Sequence, residues 1–318
     1  MNNLNKPLLI VILGPTACGK TALAIKAAQA FNGEVVSGDS MQVYRRMDIG
    51  TAKATAEEMQ GIPHWLIDIR EPDEGYSVAD FRCEAVSCID GIIARGHLPI
   101  LCGGTGLYIS SLLNEYHFSS AGGADEQIRE ELRRELETEG AQSLHDRLRM
   151  IDPQSAERIH PNDSHRLIRA LEVWQSEGKP ISSLWESPGM ESPYRPLLIG
   201  LTADRETLYR RIERRVDDMI ARGLVDEVKS LLEEGVSRDA VSMQGLGYRQ
   251  IAAFLQGECT LEDAVSLLKR DTRRFAKRQL TWFKRDERIT WFNTDRYSGE
   301  SELFEDVKAL IGHALDGE

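Results

Sequence analysis

What the sequence lacks narrows the possibilities first. No stretch approaches the roughly 18 consecutive apolar residues of a membrane span, and the first aliphatic run covers only Leu8 to Leu13. The opening residues, Met1 to Pro7, do not have the charged-then-apolar build of a secretory signal. Cysteine is sparse: Cys18, Cys83, Cys88, Cys102 and Cys259 are odd in number and contain no CxxC pair. That excludes a disulfide framework and a zinc knuckle, and predicts five reduced thiols. No internal repeat or low-complexity tract is present. A soluble, cytoplasmic protein with no membrane association is expected. Positive charge is in deficit as well, 39 Lys and Arg against 51 Asp and Glu, for a net charge of −12. Such a total, taken by itself, argues against a nucleic-acid partner. The distribution is uneven, however. Lys269 to Arg288 holds nine basic residues and three acids, a local +6, so one basic face survives in an acidic chain.

What is present is a chain of 318 residues, 41% hydrophobic, enough for a large core. Leu8 to Leu13, bounded by Pro7 and Gly14, predicts a buried parallel strand. A turn over 14–20 and an Ala-rich helix over 21–31 follow, then strands at 34–37 and 97–102. Each strand ends in a glycine-bearing loop. Strands alternating with helices predict an α/β fold, a parallel sheet with flanking helices. The character changes near Phe118. Ser119 to Gly123 predicts a flexible joint, followed by helices over 125–139, 141–150 and 164–174 and a proline-broken stretch over 178–196. A helical insertion over 119–196 is therefore expected to split a core made of 1–118 and 197–318. In the second core segment, Leu197 to Leu201 predicts a strand, helices are expected over 205–222, 224–234, 248–255 and 261–284, and a last strand over 289–292.

The sharpest motif is Gly14-Pro15-Thr16-Ala17-Cys18-Gly19-Lys20-Thr21, a full match to GxxxxGK[ST] with a strand before it and a helix after. Backbone N–H groups of such a loop turn inward around phosphate oxygens. The helix start adds its positive dipole end, Lys20 a point charge and Thr21 a hydroxyl able to hold Mg²⁺. The fold class is thus P-loop NTPase-like, though the motif does not say whose phosphates are bound. Asp39 sits where α/β sheets place active-site groups, past the carboxyl end of the second strand. It reads equally as a general base or metal-orienting carboxylate and as a helix N-cap. Gly103-Gly104-Thr105-Gly106 takes the same position after the third strand. Glycines there allow a ligand close approach, and Thr105 offers a hydroxyl to developing charge. The arginines at 205, 210, 211, 214 and 215 are interleaved with acids, so a solvated, salt-bridged helix face competes with RNA contact there. The less balanced helix at 269–284, with Trp282 and Phe283, favours RNA-backbone contact.

GPTACGKT, SGDSMQVYRRMDIGTAK, GIPHWLIDIREPDEGYSVADF and GGTGLY together resemble the tRNA dimethylallyltransferase (tRNA isopentenyltransferase) family, bacterial type. HPNDSHRLIRALEVW, SMQGLGYRQI and TRRFAKRQLTWFKRD extend the resemblance from Leu8 to about Phe292. It implies that the P-loop holds the diphosphate of dimethylallyl diphosphate with Mg²⁺. It further implies transfer of the dimethylallyl group to the exocyclic amine of the adenosine at tRNA position 37. By the same resemblance Asp39 matches the general base, and Thr105 the hydroxyl at the bridging region of the diphosphate. Asp39, Ser40, Met41, Gln42, Thr105, Arg129, His165, Arg166, Leu167, Ile168, Arg169, Gln244, Gly245, Leu246, Gly247, Tyr248 and Arg249 match residues that meet the tRNA anticodon stem-loop. Two positions depart from the family pattern. Position 18 is Cys rather than Ser, at a place where the backbone N–H matters most, so no nucleophilic role is expected. Position 65 is Trp where a second His often follows His64. No Cys/His finger like that of eukaryotic members follows the last strand, and no obligate protein partner is inferred.

Rival readings make different demands. An adenylate isopentenyltransferase acting on free nucleotide needs neither the insertion nor the basic helix. A P-loop kinase would use the same loop on ATP. A GTP switch would need a base-reading motif such as NKxD, which the sequence lacks.

Overall fold

A computed structural model describes residues 6–114, 126–184 and 192–317. The expected joint at 119–123, Asp125 and Pro188 lie outside them. The chain divides into two compact units, Met1–Leu113 with Ser192–Glu318, and Asn114–Glu191.

The first unit is built on six strands: β1 Leu8–Leu13, β2 Gly33–Ser37, β3 His64–Trp65, β4 Leu98–Gly103, β5 Arg195–Thr202 and β6 Thr290–Asn293. All pair in parallel, in the order β3-β2-β4-β1-β5-β6. β1 shows why its sequence is aliphatic throughout. Successive side chains leave a strand on opposite faces, so Leu9, Val11 and Leu13 enter one core while Leu8, Ile10 and Ile12 enter the other. The first core is closed by helices Val78–Ala94 and Gly106–Leu113, through Phe81, Ala85, Ile89 and Ile109. The second is closed by the P-loop helix Lys20–Phe31 and the helix Glu300–Asp316, through Leu23, Ala27, Leu303 and Val307. A third cluster joins helices Arg205–Ala221, Leu224–Glu233, Tyr248–Leu255 and Leu261–Phe283 around Val216, Val228, Tyr248, Ile251 and Leu268.

Register levels the three strand ends that matter. Leu13 is opposite Gly103, and Ser37 is opposite Cys102. The loops after β1, β2 and β4 therefore open at one edge of three adjacent strands.

β5 starts at Arg195, two residues before the expected Leu197. Pro196 is compatible with it because β6 joins only from Ile199 onward. Its missing N–H thus falls where no strand needs it. The short β3 and helices Val78–Ala94, Pro153–Arg158 and Glu300–Asp316 are additional to the elements read from the sequence.

The second unit is helical among its described residues: Glu126–Glu139, Ala141–Ile151, Pro153–Arg158 and Ser164–Glu177. Leu132, Leu144, Leu148, Leu167 and Leu171 form its core. No helix among the described residues is long and apolar enough to cross a membrane.

Candidate active site

The P-loop bends at residues that tolerate left-handed backbone. Gly14 has φ +143° and Gly19 φ +91°, and even Ala17 takes φ +62°. A Cβ on Gly14 would stand 2.3 Å from the Leu201 carbonyl oxygen, so the first motif glycine is fixed by the neighbouring strand. No side chain caps helix Lys20–Phe31, and its first turn holds no acid. Its N–H groups and positive end are left for an anion. Lys20 Nζ donates to the Pro15 carbonyl (2.8 Å). Cys18 is buried and its Sγ donates to the same oxygen (2.9 Å).

Among the cavities that the loop borders, two share a wall. The larger, about 550 Å³, is lined by Thr16, Ala17, Gly19, Lys20, Thr21 and Gln42, with Gly104 and Gln279. The smaller, about 320 Å³, is lined by Ser40, Met41, Thr105, Leu246, Tyr248 and Arg249, together with Gln244 and Gly245. Asp39, Thr16, Thr51, Ala52, Arg215 and Phe275 line both. Asp39 is therefore at the boundary of a phosphate-type cavity and a second, less polar one. No helix begins after Asp39, which removes the N-cap reading. Its Oδ1 accepts from the Met41 N–H (2.9 Å), a local turn that holds the carboxylate in place.

Thr105 lines only the smaller cavity. Its Oγ1 accepts from the Ser40 N–H (3.1 Å) and bonds the Ser40 hydroxyl (3.3 Å), tying the loop after β4 to the loop after β2. The glycines around it are also required by the protein itself, while Gly103 and Gly104 still line the larger cavity. A Cβ on Gly103 would meet the Gly38 backbone at 2.3 Å, on Gly104 the Gln279 amide at 2.3 Å, and on Gly106 the Trp282 ring at 2.4 Å.

Several expected contact residues are structural in this fold. Tyr248 is fully buried. Its hydroxyl donates to Glu227 Oε1 (2.7 Å), and the same carboxylate accepts from the N–H groups of Asp48, Ile49 and Gly50 (2.9, 2.7 and 3.1 Å). Gly247 is buried too, whereas Gln244 and Arg249 are exposed. In the helical unit Leu167 is a core residue at 0% exposure, and Ile168 packs against that core. His165 and Arg166 are exposed. Arg129 and Arg169 both pair with the buried Glu172 (3.0 Å each). Their charge is therefore largely committed inside the unit.

Sequence reasoning missed Gln279 and Glu227, and it weighed Arg215 only between a solvated helix face and RNA contact. Arg215 is partly buried, donates to Thr16 Oγ1 (3.3 Å), and forms no ion pair among the described residues. Burial lowers its pKa from the usual arginine value, with Asp39 opposing the shift. The expected salt-bridged face on its helix is instead an inter-helical set. Glu213 pairs with Arg273 (2.6 Å) and Asp217 with Lys269 (2.6 Å). A signal for Arg215 was available: it lies three residues past Ile212 and one before Val216, beside the buried stripe Leu208, Ile212, Val216.

The family whose profile matches is described as IPP transferase, over residues 42–286. The chain belongs to the IPP transferase family. It is 53% identical over 293 residues to the tRNA dimethylallyltransferase of Carboxydothermus hydrogenoformans, covering 92% of this chain and 94% of that protein. It is 50% identical over 308 residues to the one from Thermoanaerobacter sp. strain X514, covering 96% and 98%. Among solved structures it resembles the tRNA isopentenylpyrophosphate transferase of Bacillus halodurans, at 47% identity and TM-score 0.74 over 98% of both chains. It also resembles a eukaryotic dimethylallyltransferase acting on tRNA, at 30% identity and TM-score 0.86, over 98% of this chain and 80% of that one.

Proposed function

We propose that this family member transfers the dimethylallyl group of dimethylallyl diphosphate to the exocyclic amine of adenosine 37 in tRNA, giving N6-dimethylallyladenosine and diphosphate. The observation that carries the reading is the meeting of two cavities at Asp39, one walled by the P-loop and one walled by the 244–249 segment. The donor diphosphate fits the larger cavity, and an unstacked anticodon-loop base the smaller. Flipping a loop adenosine costs less than extracting a paired one.

In the reaction the C1–O bond to diphosphate breaks, and a bond from C1 to the adenine nitrogen forms. The amine is a weak nucleophile because its lone pair is delocalised into the ring. Asp39 accepts its proton as bonding develops. Lys20, the free N–H groups of the P-loop and Arg215 are aimed at the charge left on the diphosphate. Thr105 orders the wall where the cavities meet. The described residues contain no group of three His, Cys, Asp or Glu suited to a metal. The donor set instead fits Mg²⁺ carried by diphosphate oxygens and water with the Thr21 hydroxyl, a usual arrangement for this ion. Bound there, the ion would neutralise phosphate charge.

Acceptor recognition is assigned to Gln244 and Arg249, to the exposed cations of helix Leu261–Phe283, and to His165 and Arg166 of the helical unit. We assign the work to the cytoplasm, where tRNA substrates are found. The test is to offer dimethylallyl diphosphate with an unmodified anticodon stem-loop, with AMP, and with ATP replacing the donor. Prenylation of the RNA alone is the expected result. Prenylation of AMP with the RNA ignored, or ATP turnover without prenyl transfer, would overturn it.

A further inference from the structure

The Thr16 N–H, part of the phosphate loop, does not face the larger cavity unengaged. It donates to Gln279 Oε1 at 2.9 Å. The other end of the same amide, Gln279 Nε2, donates to the Gly104 carbonyl at 3.0 Å. Gln279 is 7% exposed and lies in the last turns of helix Leu261–Phe283. One buried amide thus joins three elements distant in sequence: the loop after β1, the loop after β4, and the helix that bears the exposed Lys277 and Arg278. Burying a primary amide is costly unless both its ends are matched, and here each end meets a backbone group with no other hydrogen-bond partner among the described residues. The fit is also tight, since a Cβ on Gly104 would stand 2.3 Å from Gln279 Nε2. An apolar side chain would fill that space without fixing either loop.

We infer that Gln279 is a positioning residue for the donor: it holds the entrance of the P-loop at Thr16 so that the N–H groups from Ala17 onward remain turned toward the diphosphate. This rests on the larger cavity being the diphosphate site. Gln279 lines the larger cavity, but both ends of its amide are engaged by backbone at 16 and 104, and it acts through that backbone. Its helix anchors the donor loop while presenting cations outward, so donor and RNA functions should separate on substitution.

The test compares wild type, Gln279→Leu and Gln279→Glu. Gln279→Leu removes both hydrogen bonds. Gln279→Glu is nearly isosteric, keeps the acceptor for Thr16 and loses the donor to Gly104. It keeps the test available if the leucine variant does not fold. It also places a carboxylate on the cavity wall shared with Lys20, Asp39 and Arg215. Three readouts are used: affinity for inorganic diphosphate with Mg²⁺ by calorimetry, hydrogen exchange at the Thr16 amide, and affinity for an anticodon stem-loop. For both variants diphosphate affinity should weaken by about tenfold or more, the scale of an unmatched buried polar group. In Gln279→Leu the Thr16 amide should lose protection. RNA affinity should stay within about twofold, because the outward cations are unchanged. A folded variant that binds diphosphate as tightly as wild type overturns the inference, as does one that loses RNA and diphosphate affinity in equal measure. Wild type that bound no diphosphate would instead remove the reading of the cavity on which the inference rests.

Discussion

Arg215→Met should move two measurable quantities in opposite directions. In the ligand-free protein Arg215 is a partly buried guanidinium with no ion pair among the described residues and one weak hydrogen bond, to Thr16 Oγ1 at 3.3 Å. Burial lowers its pKa, and a guanidinium partly withdrawn from water with no carboxylate partner among the described residues carries a desolvation cost. Replacing it with an apolar side chain of similar length should raise the unfolding free energy, by about 1 kcal/mol on the scale seen for unpaired or poorly paired buried charges. With diphosphate present the guanidinium gains its missing anion. A hydrogen bond to a charged group contributes about 1.5–3 kcal/mol, and at about 1.4 kcal/mol per decade that is about a 10- to 150-fold weaker donor affinity in the variant. Chemical denaturation without ligand measures the first quantity, and calorimetry with dimethylallyl diphosphate and Mg²⁺ the second. A variant that is less stable when empty and binds the donor normally would show that Arg215 is a structural residue. The assignment of Arg215 to the leaving diphosphate would then fall.

Asp39→Asn keeps an oxygen for the Met41 N–H, so the loop should hold while single-turnover transfer falls by about 10²-fold or more; a near-normal rate at unchanged donor affinity would remove the general-base role. Glu227→Gln should destabilise the fold by about 2 kcal/mol, because four donors converge on one carboxylate, whereas Tyr248→Phe, which leaves the three amide bonds, should cost about half as much; equal losses in urea titrations would contradict this. Glu34 supplies a pH prediction. Burial pushes its carboxyl up, but hydrogen bonds from Arg95, Trp65 and His97 outweigh burial and hold it at about 2. A depressed carboxyl stabilises fully above its unfolded value near 4.5 and loses that contribution as pH falls toward about 2. The loss is on the order of 3 kcal/mol, and Glu34→Gln should flatten stability in that window; parallel pH profiles for variant and wild type would count against it. Finally, the logarithm of stem-loop affinity should fall against log salt with a slope near about −3, from four phosphate contacts at about 0.7–0.9 each. Neutralising Lys277 and Arg278 together should flatten it by about 1.5, and an unchanged slope would place the RNA elsewhere.

Much of this architecture could be read in advance because its causes are local. A strand buried on both faces must be aliphatic at every position, so Leu8 to Leu13 was legible, and the P-loop's glycines are demanded by backbone angles within the motif. Asp39 was legible as a position but not as a role. Only the structure shows that no helix follows it and that two cavities meet there. The glycines of GGTG were seen, but not what crowds them, because Gly38, Gln279 and Trp282 are far away in sequence. Gln279 and Glu227 escaped notice for the same reason. Each works by bonding backbone groups at a separation of about a hundred residues or more, and backbone partners leave no mark on residue type.

Charge shows the same limit most clearly. The sequence offers nine cations between Lys269 and Arg288, but a count of cations is not a count of available cations. Lys269 is held by Asp217 and Arg273 by Glu213. Asp271 draws in Arg270 and Arg274 from its own helix and Arg249 from a neighbouring one. Arg288 is paired with Asp286. What stays exposed with no carboxylate partner among the described residues is Lys277, Arg278, Lys284 and Arg285, at or just past the carboxyl end of the helix and flanking Trp282. Pairing thus turns a diffuse +6 stretch into a compact cationic patch beside an aromatic ring. A few fixed charges beside a partly exposed aromatic ring, one that packs over Gly106, are a combination suited to single-stranded RNA. It also lets a chain of net charge −12 carry a local cationic face: acids pair the cations at one end of the helix, while those at the other end have no carboxylate partner among the described residues.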